Sequence, residues 1–453
     1  MRVVRGLEEG EKALSRGHFS EDQNKTPEIL EGIQRIFGQD LTPEEAVRQV
    51  VSQVSQRGDE AIREYSRRID GVELDVLEVS REDVRQAAAG ITRETRDALI
   101  RSASRVREFH AASMPRPWVD LERGFGEMIT PIGRVGVYIP GGSASYPSTV
   151  LMTAIPARVA GVKEIVLCTP PRQDGTPNPA VMAAALLAEV NRVFLVGGAQ
   201  AIAAMAYGTE TIPKVDMICG PGNIFVTLAK KMVYGEVKID GLEGPTETLV
   251  VADGTAHPAL CAADLLAQAE HDLLATPILI TTSEVLVPAV QEELRRQAEH
   301  LGRKDVALAS VERRGVIVVV DSIEAALELA NYYAPEHLCL MVKDPWASVG
   351  KIHNAGGIFL GDYSPEVMGD YVAGPSHVMP TGGSARFNSY LGVDQFLRRT
   401  PVVALDPQTA LRFADTAATL ARAEGFNAHA RAAEIRVELH QQSQDGGHSL
   451  RPS

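Results

Sequence analysis

The chain has 453 residues, 45% hydrophobic and 23% charged, with a formal net charge of −14. That length exceeds one hydrophobic core, so two or three packed units are expected. The acidic balance excludes a nucleic-acid surface, which needs clustered Lys and Arg, but not a small phosphate-bearing ligand held by backbone N–H groups.

No apolar run approaches the ~20 residues that span a bilayer. The opening MRVVRGLEEGEKALSRGHF has no apolar core of a signal peptide. The four cysteines, Cys168, Cys219, Cys261 and Cys339, form no C-x-x-C pair and lie in or beside apolar runs. Buried thiols in a reducing compartment follow. The expectation is a cytoplasmic protein with neither nucleic-acid nor membrane partners.

Residues 28 to about 114 read as helices. In TPEEAVRQVVSQVSQRGDEAIREY the apolar positions fall at helical spacing, with Thr42 as N-cap and Glu45 completing a capping box. At RVGVYIPGG, 134–142, short β-branched runs begin to alternate with helical stretches. The runs are VGVYI, EIVLCT, RVFLVGG, VDMIC, ETLVVAD, PILITT, GVIVVV, HLCLMV and GGIFLG. Such alternation means βαβ units and parallel sheets covered on both faces. The runs fall into two sets, near 135–219 and 247–361, joined by GEVKIDGLEGPTE. The predicted fold is α/β: two Rossmann-like, mostly parallel sheets, the second completed by the N-terminal helices, then a C-terminal helical tail from about 404. The last residues, QQSQDGGHSLRPS, are expected to be disordered.

Ligands of parallel α/β sheets sit beyond the strands' carboxyl ends. Three strand ends here are glycine-rich: VYIPGGSASYPST, LVGGAQA and ICGPGNIFV. Glycines let a ligand approach the backbone, and a following helix N-terminus favours an anion. No G-x-G-x-x-G is present in the required context, so the spacing points to a nucleotide-like ligand without naming it. In LLAQAEHDLL, Gln268 and His271 share one face of a predicted helix. The polar stretch GDYSPEVMGDYVAGPSHVMPTGG carries Asp362, Glu366, Asp370 and His377, as a surface excursion or a site lid. ARAEGFNAHARA carries Glu424 and His429, and NYYAPEHLCLMV sets Glu336 beside His337. Singly, each fits a surface helix, a solvated histidine or a polar connector. Together, His271, Asp370 and His429 with Gln268 make a mixed nitrogen–oxygen donor set suited to zinc or manganese.

In order and spacing these segments resemble the histidinol dehydrogenase family over about 28–439. The resemblance implies oxidation of L-histidinol to L-histidine, through a bound aldehyde, with two NAD and one water. It implies Glu336 and His337 as the catalytic acid–base pair and Tyr138, Gln200 and Asn223 as NAD contacts. It implies Gln268, His271, Asp370 and His429 as zinc ligands. Substrate contacts would come from Thr246, Gln268, His271, His337, Asp370, His377, Glu424 and His429. His429 would come from the partner of a homodimer with shared active sites. The implied division is an arm at 1–27, a helical part of the main domain at 28–134, an NAD-binding domain at 135–245, the rest of the main domain at 246–391, a helical domain at 392–440 and a tail at 441–453. Four positions depart from the family pattern: Glu243 for a small residue, Thr246 for Ser, Ser376 for Asn and Asp394 for Tyr. They leave open a relative acting on another small polar primary alcohol, such as a sulfonated diol.

Overall fold

Strands with both faces covered need apolar residues at every position, and nine runs supply them. The structure, a computed structural model, describes residues 1–16, 26–141 and 145–445. Its strands are β1 (Arg2–Arg5), β2 (Glu78–Val79), β3 (Trp118–Asp120), β4 (Phe125–Pro131), β5 (Arg134–Tyr138), β6 (Glu164–Thr169), β7 (Arg192–Leu195), β8 (Met217–Cys219), β9 (Lys238–Ile239), β10 (Glu247–Ala252), β11 (Thr276–Thr281), β12 (Val316–Val319), β13 (His337–Met341), β14 (Gly357–Leu360) and β15 (Leu397–Val403). The nine predicted runs are β5–β8 and β10–β14. The four cysteines are buried free thiols.

The described residues form two compact units. The first, residues 1–114 and 131–397, contains two six-stranded sheets, ordered β2-β7-β6-β5-β8-β9 and β1-β12-β11-β10-β13-β14. All neighbours are parallel except the β2–β7 pair. Each sheet starts at a central strand, adds two strands on one side and then crosses back. The order therefore reverses between β5 and β8, and between β10 and β13. Alternation along the second sheet splits its core in two. Leu249, Val251, Ile278, Ile280, Leu338 and Leu340 face one helical layer, and Val250, Ala252, Leu279, Ile317 and Cys339 face the other.

The helices predicted within 28–114 pack on the first sheet's helices rather than completing the second sheet, which is covered instead by helices Leu7–Leu14 and Ile323–Tyr333. Helix Pro43–Arg57 opens with the predicted box: Thr42 Oγ1 accepts from Glu45 N–H at 3.2 Å, and Glu45 Oε2 accepts from Thr42 N–H at 2.8 Å. It packs on helices Gly198–Tyr207 and Ile224–Val233, while helix Arg93–Ala112 packs on Pro147–Val159. The second sheet gains β1, Arg2 opposite Val316, from the residues expected to be an arm. That four-residue run is too short to show a period in the sequence.

The second unit comprises the described residues of 115–130 and 398–453. It holds the sheet β15-β4-β3 and two mutually packed helices, Pro407–Ala423 and Asn427–Asp445. The last helix extends five residues into the expected tail, and 446–453 lie outside the described residues. So do 17–25 of the arm and 142–144 of the first glycine loop. Among the described residues no helix is long and apolar enough to cross a membrane.

His110 is fully buried, 5.2 Å from the Phe109 ring and 6.4 Å from that of Tyr390. Neither ring nitrogen has a hydrogen-bond partner among the described residues. Burial pushes its pKa down from 6.5 to about 4. The unfolded chain therefore takes up a proton first as pH falls. The stability this costs begins to disappear near pH 6.5 and is fully lost near 4. Urea unfolding between pH 7 and 4 should show that decline, and His110→Phe should flatten it.

Candidate active site

A helix that follows a parallel strand runs back antiparallel to it, so its C-terminal end returns to the strands' amino ends. That geometry assembles the second sheet's polar residues. Thr246 immediately precedes β10, and His337 opens β13 opposite Thr248. Gln268 lies in the last turn of helix Pro258–Ala269, which follows β10. His271 falls just beyond the C-cap Glu270, not within the helix as predicted, and its N–H bonds Gln268 O at 3.1 Å. Asp370 rides on a short helix, Glu366–Tyr371, inside the stretch read as loop. The expected catalytic residues thus gather at the amino ends of β10 and β13, where the strand order reverses. The carboxyl-end rule holds only for the candidate ligand residues of the first sheet.

The side chains form a closed ring of contacts. Glu336 Oε2 accepts from Thr246 Oγ1 at 2.7 Å and from Glu247 N–H at 3.1 Å. Thr246 Oγ1 lies 2.9 Å from Gln268 Oε1, and Gln268 Nε2 lies 3.3 Å from Asp370 Oδ2. His337 Nε2 lies 3.3 Å from Asp370 Oδ1, and its Nδ1 lies 3.2 Å from the Glu247 carbonyl oxygen. Phe359 stacks on the imidazole at 5.8 Å. Glu336 and His337 are both buried.

The electrostatics are lopsided. Burial pushes Glu336 up to about 7 and Glu366 up to about 8. Burial disfavours a charged His337, yet Glu336 and Asp370 outweigh it and raise the imidazole to about 10. Burial also pushes Asp370 up, but the His337 hydrogen bond and the nearby His377 and His271 hold it below the usual carboxylate range. Near neutral pH Glu366 is therefore largely protonated and Glu336 partly so, beside an ionised Asp370 and an imidazolium. A bound cation would draw these carboxyls toward their charged form.

Gln268 carries the same message. Thr246 has one hydroxyl proton, and the Glu336 carboxylate is its better acceptor. As placed, the amide donates from Nε2 to Asp370 and turns its oxygen to Thr246; a bound cation would draw the amide oxygen round to join Asp370, and this donor set of nitrogen and oxygen suits zinc. Among the described residues no three His, Cys, Asp or Glu side chains group closely enough to hold a metal. Of the expected set, only His271 and Asp370 are of those types in this unit. Glu424, the C-cap of Pro407–Ala423, and His429, in the following helix, are exposed on the second unit.

On the first sheet, Tyr138 ends β5 and its hydroxyl accepts from Gly198 N–H at 3.0 Å. Gln200 is fully buried, and both amide atoms lack partners among the described residues. Asn223 caps helix Ile224–Val233 through Oδ1, which accepts from Phe225 and Val226 N–H. An unpartnered buried amide beside helix N-termini fits a polar dinucleotide.

His377, expected as a substrate contact, has both ring nitrogens within hydrogen-bond distance of the chain's own groups: Nδ1 lies 2.8 Å from Asp370 O, and Nε2 lies 3.1 Å from Thr149 Oγ1. Two departures from the family pattern are likewise internal. Ser376 Oγ donates to Met152 O at 2.9 Å and accepts from Val378 N–H, while Glu243 pairs with the buried Lys230 at 2.7 Å. Asp394 lies in the short turn Val393–Phe396.

Glu366 was noted in the sequence but given no role. It is fully buried and accepts from Thr248 Oγ1 at 2.8 Å. Its i, i+4 spacing from Asp370 was the available signal. Arg16 and Glu247 were missed altogether. Arg16 forks onto the Glu247 carboxylate, with Nη2 2.6 Å from Oε2, donates to Tyr333 O at 3.0 Å and lies over the Tyr333 ring at 3.8 Å. A pair separated by 231 residues leaves no local pattern.

A buried acid–base pair in one parallel sheet, beside a second sheet with glycine-rich carboxyl ends, is the layout of an α/β oxidoreductase. A family model described as histidinol dehydrogenase matches residues 37–437. Histidinol dehydrogenase of Dehalococcoides mccartyi strain CBDB1 is 48% identical over 97% of this chain and 100% of its own length. That of Deinococcus radiodurans is 49% identical over the same shares. The crystal structure of histidinol dehydrogenase from Elizabethkingia anophelis superposes with a TM-score of 0.89 at 35% identity, covering 97% of this chain and 99% of that one. This chain belongs to the histidinol dehydrogenase family.

Arg16→Met strands the Glu247 carboxylate in a buried strand. Breaking such a pair costs several kcal/mol when both partners are buried. Arg16 keeps about a fifth of its side chain exposed, so a loss of about 2 kcal/mol in urea unfolding is expected. Adding Glu247→Gln, which removes the stranded charge, should recover part of it.

Proposed function

We propose that this enzyme oxidises L-histidinol to L-histidine in two hydride transfers to NAD, through a retained aldehyde, with zinc in the site. The observation that carries the reading is the buried Glu336–His337 pair, ringed by Thr246, Gln268 and Asp370 at the amino ends of β10 and β13. Zinc would be held by Gln268, His271, Asp370 and His429 of the partner subunit, and when bound supplies positive charge that orients the substrate's nitrogen groups. Glu424 of the partner subunit would close the substrate site, so the working unit is a homodimer. Tyr138, Gln200 and Asn223 would hold the coenzyme. A cytoplasmic location agrees with four free buried thiols.

The protein's own groups divide the proton work. The carboxylates around His337 favour its protonated form; with Asp370 engaged by the metal, the imidazole would be released to act as a base, and Nδ1–H, donated to the Glu247 carbonyl, would set the tautomer and leave Nε2 to take the alcohol proton as hydride departs. Glu336 is held through Oε2, which leaves Oε1 to orient and deprotonate the water that adds to the aldehyde. As water adds, His337 gives its proton to the aldehyde oxygen, completing the hydrate, and is then free to receive the hydrate's hydroxyl proton as the second hydride leaves to give the acid. Thr246 keeps the hydroxyl that the family's Ser would supply and adds one methyl group.

Purified enzyme should yield two NADH per histidinol. No NADH with histidinol, but turnover with another small polar primary alcohol, would overturn the substrate assignment. His337→Asn should lower kcat for both oxidations by about a thousandfold. Glu336→Gln should spare histidinol oxidation more than histidinal oxidation, read by supplying each separately. Equal slowing would contradict the division of labour. Mixing inactive His337→Asn and His429→Asn enzymes should restore partial activity through hybrid dimers, and a chelator should abolish turnover.

A further inference from the structure

The short helix Glu366–Tyr371, which carries Asp370, needs a seat supplied from outside. Six residues are too few for a helix to hold itself, and its N-cap Pro365 supplies no side-chain cap. Its carboxyl end meets Ser102, whose Oγ donates to Tyr371 O, and His377, whose Nδ1 lies 2.8 Å from Asp370 O. Its middle lies close to Phe359: a Cβ on Gly369 would stand 2.6 Å from that ring, which stacks on His337. Its amino end is tied by Glu366, whose Oε2 accepts from Thr248 Oγ1 at 2.8 Å. Thr248 is the register partner of His337 across β10 and β13. Residues paired in this way in a parallel sheet present their side chains to one face. Glu366 and Asp370, four apart, lie on one side of the helix. The helix therefore docks two carboxyls onto two adjacent strand positions, Glu366 on Thr248 and Asp370 on His337. Fixing the first contact helps fix the second, and with it the 3.3 Å approach of Gln268 Nε2 to Asp370 Oδ2.

Burying an acid here costs stability that a leucine would not. Glu366 is fully buried, its Oε1 has no hydrogen-bond partner among the described residues, and Cys339 Sγ lies 3.9 Å from Oε2. A leucine has a similar bulk but could not accept from Thr248. The hydrogen bond, rather than bulk, is what Glu366 contributes. Building on the roles given above to His337 and Asp370, we propose that Glu366 is a positioning residue of the oxidation: through Thr248 it sets the place of Asp370 between His337 and Gln268.

Glu366→Gln, Glu366→Leu, Thr248→Val and the double variant Glu366→Leu with Thr248→Val test this. Glu366→Gln keeps an acceptor oxygen for Thr248 and should retain kcat on histidinol within about threefold. Glu366→Leu and Thr248→Val should each lower kcat, and each weaken zinc binding in equilibrium dialysis, by about tenfold to a hundredfold. KM for NAD should stay within about twofold in both. The double variant should be no more impaired than either single one, because each breaks the same contact. Its thermal midpoint should match that of the unaltered enzyme, since replacing both partners by apolar groups is nearly neutral. That separates a lost position from a lost fold. Should Glu366→Leu fail to fold, Thr248→Val carries the test alone. Normal kcat and zinc affinity in Thr248→Val would overturn the proposal, as would losses that multiply in the double variant. Glu366→Gln as impaired as Glu366→Leu would also overturn it, by showing that the acid's charge and not its seat is what matters. An unaltered enzyme that binds zinc but makes no NADH from histidinol would overturn the substrate reading instead, and zinc affinity would then decide the role of Glu366.

Discussion

The catalytic ring hangs on the pairing of Glu247. All six positions of β10 are buried, and a carboxylate in such a strand is tolerable only when fully paired. Arg16 and Gly382 N–H, at 3.2 Å, take its oxygens. With the side chain so held, the Glu247 backbone is fixed on both sides of the active pair: its N–H binds Glu336 and its carbonyl oxygen meets His337. One residue thereby links the N-terminal segment, the Gly382 turn and the acid–base pair. The connection just before the pair is itself strained. Ala334 sits at φ 53°, a left-handed conformation without glycine, and precedes a proline. Arg16 bonds the Tyr333 carbonyl beside it.

The two sheets share a topology but use opposite edges. On the first, glycine-rich turns and helix N-termini follow the strands, so its polar features lie at the carboxyl ends. On the second, the proposed catalytic residues stand at strand starts and returning helix ends. Helix C-termini carry partial negative charge, which adds to the carboxylates there. An edge of this kind is poorly suited to an anionic coenzyme and well suited to a cation. The physical character of each edge therefore supports the proposed division between coenzyme binding and metal-dependent chemistry.

Much of this was legible in the chain. The nine central strands are apolar throughout because parallel sheets bury both faces, and continuous apolar runs are visible without knowing their partners. The Thr42–Glu45 box is local and formed as read. The edge strands β1, β2 and β9 were not legible: two to four residues carry no period, and pairing, not propensity, makes them strands. His271 was placed on a helix that stops two residues earlier, and Asp370 in a loop that coils into a short helix. Boundaries depend on tertiary contacts that spacing does not encode. The contacts of the His377 ring with Asp370 O and Thr149 Oγ1 were not legible either, because those partners are on the backbone or remote in sequence.

By itself the sequence determined the two-sheet α/β class, the family, and the residue types at the Glu336–His337 pair and its neighbours, because these rest on composition, local period and motif order. Only the tertiary structure decided that Arg16 reaches Glu247, that Glu366 is buried on the same short helix as Asp370, and that Ser376 and Glu243 turn inward. Each of those depends on which distant groups are left with or without a partner once water is excluded. That accounting exists only after the chain has folded.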